Sequence, residues 1–387
     1  MDNYVKKKFS KLSLLAATKL ILLMTIGVEA FAQDGQQPLD ILTWGGAYQQ
    51  SQEKAYFEPF LKAQSIQIKP RTHLTEDGQT IVDRLAVDDS WDIADLSSKD
   101  ESEACEKGLL RQIKIEEVLL EDEASEDDFL PGAIRKCGIG SVAWSSVIIS
   151  NRRKFRKRQP KTVKDLFDIG RFPGKRALPK GPKYILEMAL MAEGVPASEV
   201  YEQLDTVDGE DRAFEILEKL RGHVIWWEQA AEPLKILNDG QAVMALAYSG
   251  RAFNEITSQR HPFDIIWDGQ IYDVEYWTIS KKTDEADAAL KFVSFALGTE
   301  RMAEQARWFP YGPMRKSAVA TVGNHALLNV DMKRFIPTTP DHMRKALQLN
   351  TDWWKMNEKR LITRFDAWLK DGSSEIEKAE VPNAGSQ

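Results

Sequence analysis

Strand-length apolar runs alternate with helix-period runs from Leu39 to Asp100, and that alternation restricts the fold more than any other feature of the chain. Leu39 to Thr43 reads as a buried strand, and Gln49 to Ala63 as a helix with Ala55, Tyr56, Phe60 and Leu61 on one side. Ile66-Gln67-Ile68 alternates as a strand expected to stop at Pro70, Ile81, Val82 and Leu85 mark a second helix, and Trp91 to Leu96 a third strand. Such an order implies a mostly parallel sheet with helices on its faces. Ligands of such sheets sit beyond the carboxyl ends of the strands. The turn Trp44 to Tyr48 and the polar segment Ser97-Ser98-Lys99-Asp100 both leave by that edge.

Residues 1–32 have the three parts of an export signal. Lys6, Lys7, Lys8 and Lys11 give a positive start, Leu20 to Val28 an apolar stretch, and Ala30-Phe31-Ala32 a small-x-small cleavage pattern. The apolar stretch is shorter than the roughly 20 residues a membrane span needs. The mature chain is therefore expected to start near Gln33 and to work in the periplasm. The leader holds five Lys and two acids, so 52 basic and 59 acidic residues become 47 and 57, a net charge of −10. An acidic chain lacks the positive potential that nucleic acid or anionic lipid requires. In an oxidising compartment the isolated pair Cys105 and Cys137 is expected to form a disulfide, the competing reading being two buried thiols. The five histidines show no ligand spacing, so neither a metal nor another cofactor is expected.

Beyond Val142 to Ser150, a strong strand pattern, the basic run Asn151 to Arg158 reads as an exposed charged connector. A second α/β block follows. Thr162 to Leu166 opens a capped helix, Arg176 to Leu178 is a strand, and Pro179 to Lys183 is a turn leading into a helix through Tyr184 and Leu190. Strands are expected at Val224 to Trp227, Ala242 to Ala247 and Phe263 to Trp267, then a segment Gly269 to Ile279, and a helix at Ala286 to Leu297. No nucleophile elbow, phosphate loop or H-E-x-x-H is present, so an enzyme is not expected. Instead aromatics and acids gather at strand ends: Trp44 and Tyr48, Tyr248, and the group Tyr272, Asp273, Glu275, Tyr276 and Trp277. Ring faces attract cations and carboxylates bond ammonium groups, a combination suited to an amine.

The segments LTWGGAYQQS, ACEKGLL…CGIGSVAWS, FPGKRALPKGPKYILEMALMAEG, VMALAYSGRA and RWFPYGPMRKSA, in that order, resemble the periplasmic solute-binding proteins of ABC importers, in particular the spermidine/putrescine-binding branch. The resemblance implies the type II fold, α/β with two lobes, each a central mixed sheet flanked by helices, with hinge strands between. Lobe 1 would be 33–146 plus 277–322 and lobe 2 147–276 plus 323–387, the chain crossing near Ser145, Trp277 and Val322. It also implies a monomer that hands a small solute, a polyamine or related amine, to a membrane permease.

The contacts it implies fall on Trp44, Gly45, Tyr48, Ser97, Tyr184, Tyr248, Asp273 and Glu275. Of these, Glu275 would grip the amino group, and Asp273 would occupy the place of a stacking aromatic. One departure weighs the other way. Lys180 and Lys183 stand where polyamine binders present acids, and lysines at a helix N-terminus would favour an anion. A zwitterionic or anionic solute is thus the alternative, with a secreted enzyme or a sensory binding protein behind it.

Overall fold

The computed structural model of the chain describes residues 37–73, 79–118 and 125–380, with side chains of the last helix described only to Asp371. The leader at 1–32 and part of the acidic loop at 121–128 lie outside the described residues. Ten strands form one sheet. They are β1 (Leu39–Thr43), β2 (Ile68–Thr72), β3 (Ile93–Ser97), β4 (Gly138–Asn151), β5 (Arg176–Pro179), β6 (Val224–Trp227), β7 (Met244–Tyr248), β8 (Phe263–Ile279), β9 (Gly312–Pro313) and β10 (Leu347–Gln348). Their order is β2-β1-β3-β8-β4-β7-β5-β6, with β10 beside β8 and β9 beside β4.

Strands β1, β2 and β3 pair in parallel, as do β7, β5 and β6. The two groups meet on β4 and β8, which run antiparallel from Gly138↔Thr278 to Asn151↔Phe263. At 14 and 17 residues these two strands are far longer than the others. At about 3.3 Å per residue each reaches some 45 Å or more, enough to serve both groups. β3 docks on the carboxyl half of β8, and β7 on the carboxyl half of β4.

Among the described residues, the two largest of four buried apolar clusters follow from this. One collects Leu39, Ile41, Ile93, Tyr276, Trp277 and Phe292, and still includes Val322 and Ile336. The other collects Ile148, Leu178, Met188 and Leu246, and is rejoined by Leu347, Trp353 and Trp354. Cys105 and Cys137 are bonded, tying the helix Ser98–Glu106 to the start of β4. A bridge closing a loop of that size, with 32 residues of separation, contributes about 4 kcal/mol in the chain-entropy picture.

Three local readings change. Pro70 does not end a strand but sits inside β2, paired with Ile41. β2 is an edge strand, where a missing N–H leaves no ladder bond unmade. Ser97 to Asp100 is the start of a helix rather than a loop, with Ser97 Oγ accepting from the Asp100 N–H at 3.3 Å. Phe263 to Trp267 and Gly269 to Ile279 are one strand, bent at Gly269. There φ is +76° and an added Cβ would lie 2.6 Å from Val163 Cβ, so only glycine fits. The basic run is an exposed connector, with Phe155 tucked into the second core and its neighbours in solvent.

Glu187, on the helix Ile185–Glu193, is fully buried in that core. Its Oε1 accepts from Trp354 Nε1 at 2.6 Å, while Oε2 has no hydrogen-bond partner. Burial raises its pKa to about 7. The folded protein then holds this proton more tightly than the unfolded chain, so stability falls as pH rises from about 4.3 through 7. Glu187→Gln keeps the acceptor for Trp354 and loses the titration. Its Tm is expected to drop less between pH 5 and pH 8 than that of the wild type, whereas an equal drop would exclude Glu187 as a source.

Candidate functional site

Where the two strand groups meet, the carboxyl ends of β1, β3 and β7 open on one cavity of about 740 Å³. Each end supplies its residues through a sharp turn into a helix. After β1, Gly45 turns with φ +74° and an added Cβ there would lie 2.8 Å from Thr72 Cγ2, and Trp44 and Tyr48 on either side of this turn in the chain both line the cavity. β3 contributes Ser97, and β7 contributes Tyr248 followed by Gly250 and Arg251 on the helix Ser249–Thr257. β4 and β8 form the floor with Trp144 and Glu275, and Phe309 and Tyr311 close one wall.

Glu275 is the centre of the arrangement. It is only 6% exposed, and its two carboxylate oxygens each accept from an indole: Oε2 from Trp44 Nε1 at 3.0 Å, Oε1 from Trp144 Nε1 at 2.9 Å. Even so its pKa stands well above the carboxylate range, first through burial and then through the nearby acids Asp95 and Asp273. A buried acid with this surplus of negative neighbours favours an incoming cation. The rings around it pack edge to face, with Trp144 and Tyr248 at 5.4 Å, Tyr48 and Phe309 at 5.6 Å, and Phe309 and Tyr311 at 4.7 Å. His73 backs Trp44 at 4.9 Å, and burial lowers its pKa to about 4, so it adds no charge.

Positive charge stands in the same cavity. Arg251 is exposed, and no described residue pairs with it. It lies in the first turn of the helix Ser249–Thr257, whose free N–H groups also favour an anion. Glu255, farther along that helix, is occupied by His261 at 2.6 Å. An acid on the floor and an unpaired guanidinium at a helix start together suit a solute carrying both charges.

Of the residues expected from the sequence, Trp44, Tyr48, Ser97, Tyr248 and Glu275 line the cavity together. Gly45, Tyr184 and Asp273 are not among its walls. Gly45 acts through its turn, and Tyr184 lies behind Tyr248, with which its hydroxyl interacts. Asp273 cannot stack as an aromatic would, and its Oδ1 accepts from the Val274 N–H at 2.8 Å. Lys180 and Lys183 are spent on Glu228 at 2.7 Å and Glu358 at 3.1 Å, so the anion they were expected to attract is not drawn by them.

Trp144, Arg251, Phe309 and Tyr311 were missed. All four stand in the segments that carried the resemblance, and membership of those segments was the one signal available for them. A second hollow of about 800 Å³, between Lys164, Glu193 and Arg212, has Arg212 paired with Glu193 and Phe167 as its one aromatic lining residue. The one cluster with metal-ligand proximity among the described residues, Glu101 with Cys105 and Cys137, has both sulfurs in the disulfide.

Residues 55–328 match the family of bacterial extracellular solute-binding proteins. The chain is 33% identical over 362 residues to a gamma-aminobutyric acid-binding protein of Pseudomonas aeruginosa, covering 93% of this chain and 96% of that one. The chain belongs to the bacterial extracellular solute-binding proteins. Among solved structures, an ABC transporter substrate-binding protein from Bradyrhizobium japonicum is similar with a TM-score of 0.70 at 24% identity, over 86% of this chain and 99% of that one. The Atu4243-GABA receptor is similar with a TM-score of 0.65 at 25% identity, over 86% and 97%.

The solute-binding protein thus has the type II α/β fold, a central mixed sheet flanked by helices. Its family is one of carriers, not enzymes. The expected polyamine branch is not supported, since the relative is named for γ-aminobutyrate. Glu275→Gln is expected to weaken capture of an amine-bearing solute by more than tenfold, about the scale of one charged hydrogen bond. Calorimetry checks this, and unchanged affinity would remove Glu275 from the site.

Proposed function

We propose that this protein captures a small zwitterionic amino acid of the γ-aminobutyrate type in the periplasm and delivers it to an ABC permease. One observation carries the reading: a buried carboxylate and an unpaired arginine face the same aromatic cavity. Glu275 takes the ammonium group with the rings of Trp144 and Tyr248 beside it, and Arg251 with the helix start takes the carboxylate. A diamine would set its second ammonium against Arg251, a like-charge contact that lowers its affinity relative to the amino acid. The names of the relative and of the Atu4243 structure agree with this choice of solute.

Capture would close two lobes over the solute, with β4 and β8 as two hinge strands. A third passage would lie just before Leu347, which rejoins the second core after Met343 and Ala346 still pack against the first. The protein would act as a monomer after removal of residues 1–32. Hinge closure around a ligand is the usual device of such folds.

Isothermal titration with γ-aminobutyrate, α-amino acids, butylamine, butyrate and putrescine tests the reading. Binding is expected for an amino acid and at least tenfold weaker for the solutes that lack either charge. Tight binding of putrescine with none of an amino acid would contradict it. Arg251→Met is expected to weaken amino-acid binding by more than tenfold while changing butylamine binding little, and an equal loss for both would remove Arg251 from carboxylate recognition.

A further inference from the structure

Beneath the amine subsite lies a second acid that the solute does not reach. Asp95, on β3 two residues before Ser97, is wholly buried and is not part of the cavity wall. The register Ser97↔Glu275 and Asp95↔Trp277 sets it on the strand next to Glu275. Its Oδ2 accepts from Gln52 Nε2 at 2.6 Å. Asp95 also interacts with the buried Tyr48 hydroxyl that faces it, although neither that hydroxyl nor Asp95 Oδ1 makes a well-formed hydrogen bond. Tyr48 is therefore the residue that both touches the cavity and stands over Asp95.

Among the described residues, the charged and titratable groups around this pair supply no compensating cation. Tyr48 and Tyr56 face Asp95 from the helical run that follows β1, Asp273 faces Glu275 along β8, and Tyr311 lies above both acids. His73 contacts the Asp95 backbone carbonyl at 2.8 Å, and its ring is neutral. Arg301 acts on Tyr56, Arg135 and Lys183 act on Asp273, and Arg251 acts on Tyr311 and Tyr248. Two neighbouring carboxyls removed from water, with no paired cation, do not both ionise.

We propose that Asp95 and Glu275 share one proton while the site is empty, and that an arriving ammonium group drives it out, so that capture exchanges a proton for an amine. No covalent bond changes: the solute keeps its protons, and the displaced one leaves to solvent. Asp95 is a positioning residue here, acting on the solute through Glu275 and Tyr48. Burial raises Asp95 to about 7 and Glu275 well above its ordinary range, which keeps the shared proton in place near neutrality. The proposal rests on the amine reading given above.

The direct test is calorimetry with γ-aminobutyrate at pH 6 in phosphate, MES and imidazole, buffers of different ionisation heat. A release approaching one proton per solute is expected, with affinity rising up to about tenfold per pH unit between pH 5.5 and 7. Asp95→Asn is expected to bind with clearly fewer protons released and a flatter pH profile. In the ligand-free wild type, the indole N–H resonances of Trp44 and Trp144 should shift through a transition in the same pH range, a readout that needs neither a variant nor a ligand. Binding heats independent of buffer, an unchanged proton count in Asp95→Asn, or indole resonances that do not titrate would each overturn the exchange. Absence of heat with every amine would overturn the functional reading instead, and the indole titration would still decide whether the proton is shared.

Discussion

A carboxylate held in the interior by two indole N–H groups is the constraint on which the rest depends. Trp44 comes from the end of β1, Trp144 from the middle of β4, and Glu275 from β8. Three separate strands must reach their native register before both bonds can form. A buried acid left with one oxygen unpaired would cost on the order of 1–3 kcal/mol. The site is thus a product of the junction between the strand groups and not of any one loop. The long antiparallel pair β4 and β8 supplies both the floor of the cavity and the connection between the cores.

The fold class was legible because each apolar run in the first hundred residues kept one period long enough to be read. Alternation of strand and helix from Leu39 to Leu96 leads directly to the parallel group β2-β1-β3. Errors fell where tertiary context outranks local chemistry. Pro70 is tolerated because β2 has a neighbour on one side only, which depends on sheet order. Gly269 reads as a break, yet it bends one continuous strand against Val163, more than a hundred positions away in the chain.

The site was legible in part for a similar reason. Aromatics and acids at the ends of strands were visible as a pattern, and five of the eight expected residues line the cavity. Trp144 sits inside a strand that reads as ordinary core, and only the register Trp144↔Asp273 shows that its face turns toward Glu275. Arg251 carries no signal in the sequence that sets it apart from the other cations. What distinguishes it is the lack of any described partner, whereas Lys180 and Lys183, which stood out in the sequence, are neutralised by Glu228 and Glu358. Charge pairing in three dimensions thus reverses which of these cations is left to meet an anion.

A crystal structure of the protein bound to γ-aminobutyrate tests the central claim most directly. The account predicts electron density bridging the cavity, with the amino nitrogen within hydrogen-bond distance of the Glu275 carboxylate and the opposite end on the Arg251 guanidinium. A solute lying the other way round, or seated away from the two tryptophans, would contradict it.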